Sequence, residues 1–172
     1  MGNLGNTIER LILSRIRFRR VLRYALFMFL ALLAQNMLLN RFRILGVCPM
    51  VLPAVAVAAG MFEGATWGSV FSLIMGIFAD MAFVENTVVF TVLFPALAFA
   101  SGFISQFFIN RRFFAFMGTA VLALLATGLV QMLLVALKDS FSMSMLPTVA
   151  LQTLWSLPFS VLAYYPAAHW MD

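Results

Sequence analysis

The sequence predicts an all-α integral membrane protein, a six-helix transmembrane bundle, and three observations carry that expectation. The 172 residues are 64% hydrophobic and 10% charged, with a mean hydropathy of +1.03, against roughly 45–50% apolar and 25% charged in soluble domains. Apolar segments follow one another with no connection long enough to build a soluble domain. The formal charge of +5 is also lopsided: Arg10, Arg15, Arg17, Arg19, Arg20 and Arg23 all precede the first long apolar segment.

Residues 1–20 read as a cytoplasmic basic interfacial helix and 21–172 as a single transmembrane bundle. Asn6 and Glu9 have capping-box spacing, and Ile8, Leu11, Ile12 and Ile16 recur at near-helical intervals. Basic residues beside a span mark the cytoplasmic side, so Arg15, Arg17, Arg19, Arg20 and Arg23 are expected at lipid headgroups. No interleaving of aromatic and basic residues suggests a base-stacking surface, and no nucleic-acid partner is expected. A cleaved signal peptide fits poorly, because more than twenty residues precede the apolar run and Leu32-Leu33-Ala34 offers no Ala-x-Ala site.

Val21 to Asn40 gives about twenty residues, enough for a first span, closed by Arg41, Phe42 and Arg43. Met50 to Met61 is short and contains Pro53; drawn back to Gly46, with the proline in the first turn, it makes a thin second crossing. Glu63-Gly64 is the polar break before Ala65 to Val84, and a tight turn is expected there. Val88 to Ile109 lies between Glu85-Asn86 and Asn110-Arg111-Arg112. Phe113 to Leu137 is closed by Lys138-Asp139-Ser140, and Thr148 to Trp170 is the last span.

Charge placement decides the count. With six spans and a cytoplasmic amino end, Arg111 and Arg112 join the amino-terminal arginines inside, leaving Arg41, Arg43 and Lys138 outside. Five spans with a re-entrant Met50–Met61 segment, the fallback, would put Arg111 and Arg112 outside. Six spans place both termini in the cytoplasm.

Gly64, Gly68, Ser72, Gly76 and Asp80 lie four residues apart. On a helix they form one small-residue stripe about 24 Å long that ends in a carboxylate. Small-xxx-small spacing lets helix backbones approach closely, within the bundle or against another protein. A charge in hydrocarbon costs roughly 2.5–3.5 kcal/mol, so Asp80 needs a partner, a proton or a place near the interface. About one turn from the outer boundary, it reads either as a docking or ion-binding carboxylate or as a helix-end residue that fixes geometry by hydrogen bonding. Gln35, Asn36, Gln106, Gln131 and Gln152 read as interhelical hydrogen-bonding groups or parts of a substrate path, scattered one or two per helix.

No catalytic set is visible. His169 is the only histidine, Lys138 the only lysine and Cys48 the only cysteine. A serine nucleophile therefore lacks a base, a Cys/His metal cluster is excluded, and a disulfide within the chain is impossible. Aspartyl proteolysis needs two carboxylates sharing a site, and Asp80 has only Glu85 near it in sequence. There is no HExxH and no glycine-rich phosphate loop. No enzymatic activity, cofactor or metal is expected.

In order, Gln35, then Ile44-Leu45-Gly46-Val47-Cys48-Pro49, Glu63-Gly64, Gly68 and Gly76-Ile77-Phe78-Ala79-Asp80 resemble the rod shape-determining protein MreD family. In that family a helix ends before an I-L-G-V-x-P turn, a short apolar stretch leads to E-G, and a glycine-rich span closes on an aspartate. Pro158, after Trp155, is similar to the family's last helix. The chain departs from the pattern at Met50, where an acidic residue is usual, at Gln152, where asparagine is, and in lacking a basic carboxyl-terminal tail.

The resemblance implies a non-enzymatic subunit of the bacterial inner membrane. It would bind MreC in the elongation machinery that directs peptidoglycan synthesis, together with MreB, RodA and a class B penicillin-binding transpeptidase. Pro49, Glu63, Gly64, Gly68, Ser72, Gly76 and Asp80 are the expected partner-binding or helix-packing positions. The family's fold is similar to the substrate-binding subunits of energy-coupling-factor transporters, which supplies the alternative: a small-molecule, vitamin-type binding subunit.

Overall fold

The computed structural model describes residues 22–41, 47–82, 88–107, 113–138 and 145–170. The expected interfacial helix over 1–20, with Arg15, Arg17, Arg19 and Arg20, lies outside these residues. So do Arg43 to Gly46, Glu85, Asn86, Arg111 and Arg112. The described helices are α1 (Leu22–Met37), α2 (Leu52–Glu63), α3 (Ala65–Ala82), α4 (Val89–Phe107), α5 (Phe113–Lys138) and α6 (Met145–Trp170). Helices α3 to α6 are each long and apolar enough to cross a membrane, which marks the chain as a membrane protein. Helix α6 starts ahead of the expected Thr148, with Pro147 in its first turn, where a missing N–H leaves no helical bond unmade.

The chain alternates in direction from helix to helix. A Cβ on Gly68 would lie 2.5 Å from Gly60 Cα, whereas eight residues of one continuous helix would separate the two by about 12 Å. Helices α2 and α3 therefore fold back on each other around Gly64, whose φ of 89° is a conformation that glycine adopts without strain. Gly76 faces Phe90 and Gly102 faces Ala65, so α3 and α4 are antiparallel. Gly128 meets Val149, while Phe116 lies 5.1 Å from Tyr164, so α5 and α6 are antiparallel too. Tyr24 of α1 stacks on Phe71 of α3 at 5.3 Å, and Gln35, near the other end of α1, reaches Pro49. Thus α1, α3 and α5 run one way and α2, α4 and α6 the other.

Helix α2 is the axis of the bundle. Its 12 residues span only about 18 Å, yet Leu52 to Met61 are all buried. Leu52, Val55 and Ala56 pack with Tyr24, Met28, Phe71, Met75 and Phe94 on one side. Ala54, Val57, Ala58 and Met61 pack with Phe116, Ala120 and Ala123 on the other. A helix that is apolar all round has no face to give to water and belongs inside, and alanine, valine and glycine let five neighbours come near at once. The expected span at Met50–Met61 is thus a short central helix preceded by the non-helical segment Val47–Val51.

Candidate functional site

Gln35, Asn36, Asp80, Gln131 and Gln152 stand toward one end of the bundle, where α1, α3 and α5 finish and α2, α4 and α6 begin, while Gln106 stands exposed at the other, near the end of α4. Val47–Val51 is the part that needs them, since backbone outside a helix is tolerated at membrane depth only where protein groups satisfy it. Gln35 supplies both halves of its amide: Nε2 donates to Pro49 O at 3.0 Å, and Oε1 accepts from Val51 N at 2.9 Å. Met50 N donates to Ser156 Oγ of α6 at 2.8 Å. Gln131 Nε2 of α5 reaches Met50 Sδ at 3.7 Å. Scattered along the sequence, Gln35, Gln131 and Ser156 converge on three consecutive residues.

Gln35 is only 2% exposed and sits in a turn of π-helix, Ala34–Leu38, near the end of α1. Such a turn carries one residue more than an α-turn and is frequent at functional positions. Here its amide completes the start of α2, where no local side chain caps the helix.

Asp80 does the same for α4. Its Oδ1 accepts from Phe90 N at 3.1 Å, and its Oδ2 accepts from Thr91 N at 2.7 Å and Thr91 Oγ1 at 2.6 Å. The first N–H groups of a helix have no intrahelical acceptor and carry the positive end of the dipole. The carboxylate therefore acts as an N-terminal cap delivered from the preceding helix, with both oxygens engaged inside the protein.

The stripe above Asp80 faces inward. Gly68 meets the backbone of Gly60 and Ala59, and Gly76 that of Phe90 and Thr91. Ser72 between them is 1% exposed, with a hydroxyl that has no hydrogen-bond partner among the described residues. Gly60 and Gly102 complete a three-helix crossing: a Cβ on Gly60 would strike Ala98 O of α4, and one on Gly102 would strike Ala65 N of α3. Ser101 Oγ lies at the same crossing, 3.0 Å from Ala98 O of its own helix and 3.3 Å from Val57 O of α2. Glu63 and Gly64, half-buried, form the turn at the opposite end, and Arg23 is exposed on α1. Pro49 is fully buried under Gln35.

Among the described residues, a groove and a cleft lie between helices. A groove of about 480 Å³ separates α1 from α3, with Asn36 as its one polar lining residue among Met28, Phe29, Phe71 and Phe78. A smaller cleft of about 230 Å³ lies between α5 and α6, lined by Gln131, Val135, Thr148 and Gln152. Beside it, and sharing Gly128 and Gln152, is a slot too narrow for water that is lined by Met50, Thr127 and Thr153. Among the described residues no group of three His, Cys, Asp or Glu side chains could hold a metal ion.

Gly60, Thr91, Gly102 and Ser156 were not among the sequence candidates. Gly60 did carry a signal, standing four residues before Gly64, and Ser156 shares a four-residue spacing with Ser160 on the buried face of α6. Thr91 carried none. Compared with protein-family models, curated proteins and solved structures, the chain matches none.

Proposed function

We propose that this chain is a non-enzymatic, MreD-like subunit of the bacterial cell-elongation machinery. It lies in the inner membrane with both termini cytoplasmic and holds the transmembrane helix of MreC. The ordered motif from Gln35 to Asp80 carries the reading. Its described positions share one kind of work: Gln35 and Pro49 close the start of α2, Gly64 turns the chain, Gly68 and Gly76 admit neighbouring backbone, and Asp80 closes the start of α4. A set of residues that builds helix junctions, with no nucleophile and base among them, fits a scaffold. The alternation of six helices fits six crossings, α2 being a thin one sheltered by its neighbours, and the arginine-rich amino end sets the inside.

Because the glycine stripe and Asp80 are occupied within the bundle, a partner helix has to use another face. The test is co-purification in mild detergent after co-expression with MreC: stable recovery of MreC is expected. Recovery of transporter ATPase subunits or of a retained vitamin-like ligand instead would overturn the scaffold reading in favour of a transporter subunit.

A further inference from the structure

The α5/α6 cleft brings together two amides, Gln131 and Gln152, that satisfy no backbone group of the protein among the described residues. Gln131 and Gln152 are half-buried, each seven residues from the near end of its helix, hence about 10 Å inside it. Among the described residues the Gln152 amide makes no hydrogen bond, and Gln131 has only its long donation to the Met50 sulfur. An amide without partners at that depth costs free energy that a hydrogen-bonding occupant removes. The α1/α3 groove carries a single amide, Asn36, among apolar side chains, so it offers an entering polar group no pair of partners.

The size of the cleft narrows the choice of occupant. About 230 Å³ is below the roughly 300–1,000 Å³ of pockets that enclose small-molecule ligands. Val135 and Thr148 at its rim are exposed, so the cleft opens on the outer surface of α5 and α6 toward the membrane. That geometry suits one or two side chains entering from a helix laid alongside. We propose that the α5/α6 cleft is the docking site for a partner's transmembrane helix, which inserts an amide or hydroxyl side chain between Gln131 and Gln152. This rests on the scaffold reading above and locates the contact.

The experiment measures capture of full-length MreC by the full-length chain and by the variants Gln131→Leu and Gln152→Leu, in mild detergent. Each variant should weaken capture between about threefold and twentyfold, the range that one interhelical hydrogen bond supplies in a membrane. Both should keep or raise the thermal stability of the parent, since neither amide supports the fold by a strong bond and leucine removes the cost of an unpartnered one. A photoactivatable residue at Val135 should crosslink to the MreC helix, and one at Phe103, on the exposed face of α4, should not. Unchanged capture by both variants, with no crosslink at Val135, overturns the cleft while leaving the scaffold standing. Failure of the parent chain to capture MreC overturns both. A small molecule retained by the parent and lost in Gln152→Leu overturns the helix as occupant.

Discussion

Replacing Gly68 by alanine tests whether the glycine stripe is consumed inside the bundle. The new Cβ would stand 2.5 Å from Gly60 Cα, 2.7 Å from Gly60 N and 2.8 Å from Ala59 O. Carbon atoms rest at about 3.5–4.0 Å, so α2 and α3 must separate by about 1 Å. Every atom met is backbone, so no side chain can rotate away, and α2 has α4, α5 and α6 against its other sides. Overpacking of this kind costs typically 1–3 kcal/mol. Alanine's better helix propensity returns about 0.5–1 kcal/mol. Gly118→Ala supplies the control, because nothing lies within 4 Å of its Cβ position and only the propensity gain remains. At about 2–4 °C per kcal/mol, Gly68→Ala should lower the unfolding midpoint in detergent by several degrees, and Gly118→Ala should leave it unchanged or raise it. Scanning fluorimetry on the tryptophans reads both. Equal midpoints for the two variants would refute the packing argument and return the stripe to the outside of the bundle.

Three further outcomes follow from the junctions. Asp80→Ala removes three accepted hydrogen bonds from the start of α4 and should cost about 1–2 kcal/mol, as cap losses do. Asp80→Asn, which keeps one acceptor oxygen, should cost less, and the two midpoints check the order. Gln35→Leu leaves buried Pro49 O and half-buried Val51 N without their partner and should destabilise by about 1–3 kcal/mol for the buried carbonyl and less for the amide; faster hydrogen exchange at Val51 would accompany it. Gly64→Ala meets no atom within 4 Å but forces alanine to φ 89°, ψ 167°, so it should cost about 1–3 kcal/mol through the backbone alone, read as a lower midpoint with an unchanged circular-dichroism spectrum.

The helices from α3 to α6 were legible in the sequence because polar breaks interrupt the apolar runs: Glu63-Gly64, Asn110-Arg111-Arg112 and Lys138-Asp139 stand where hydrocarbon would reject them. The turn at Gly64 was legible for the same reason. The central position of α2 was not. In a soluble protein, apolar periodicity tells the inner face of a helix from the outer one, but lipid is as apolar as a protein core. Exposed Phe99 and Phe103 and buried Phe94 of α4 look alike in sequence. Only small residues break this symmetry: Gly68 and Gly76 of the expected stripe do meet neighbouring backbone, although spacing could not say which, whereas Gly64 lies in the turn outside α3 and meets nothing. The partners of Gln35 and Asp80 lie across loops and were equally invisible.

Asp80 and Gln35 are best understood together. Each sits toward the end of a helix running in one direction, and each satisfies the first residues of the next helix, which runs back. A helix start in water can rely on solvent for its unpaired N–H groups, but one tucked into a membrane bundle must take its acceptor from protein. The chain solves this twice with the preceding helix, by an amide at α2 and a carboxylate at α4. Those uses account for two of the polar side chains within the spans. Gln131 and Gln152 sit at the same end of the bundle, yet they cap no helix start and make no strong bond within the described residues. A group that costs free energy in the isolated chain and offers it no structural return is the one whose partner lies elsewhere. That contrast separates the cleft between α5 and α6 from the glycine stripe: the stripe has already met its backbone, and the amides have not met theirs.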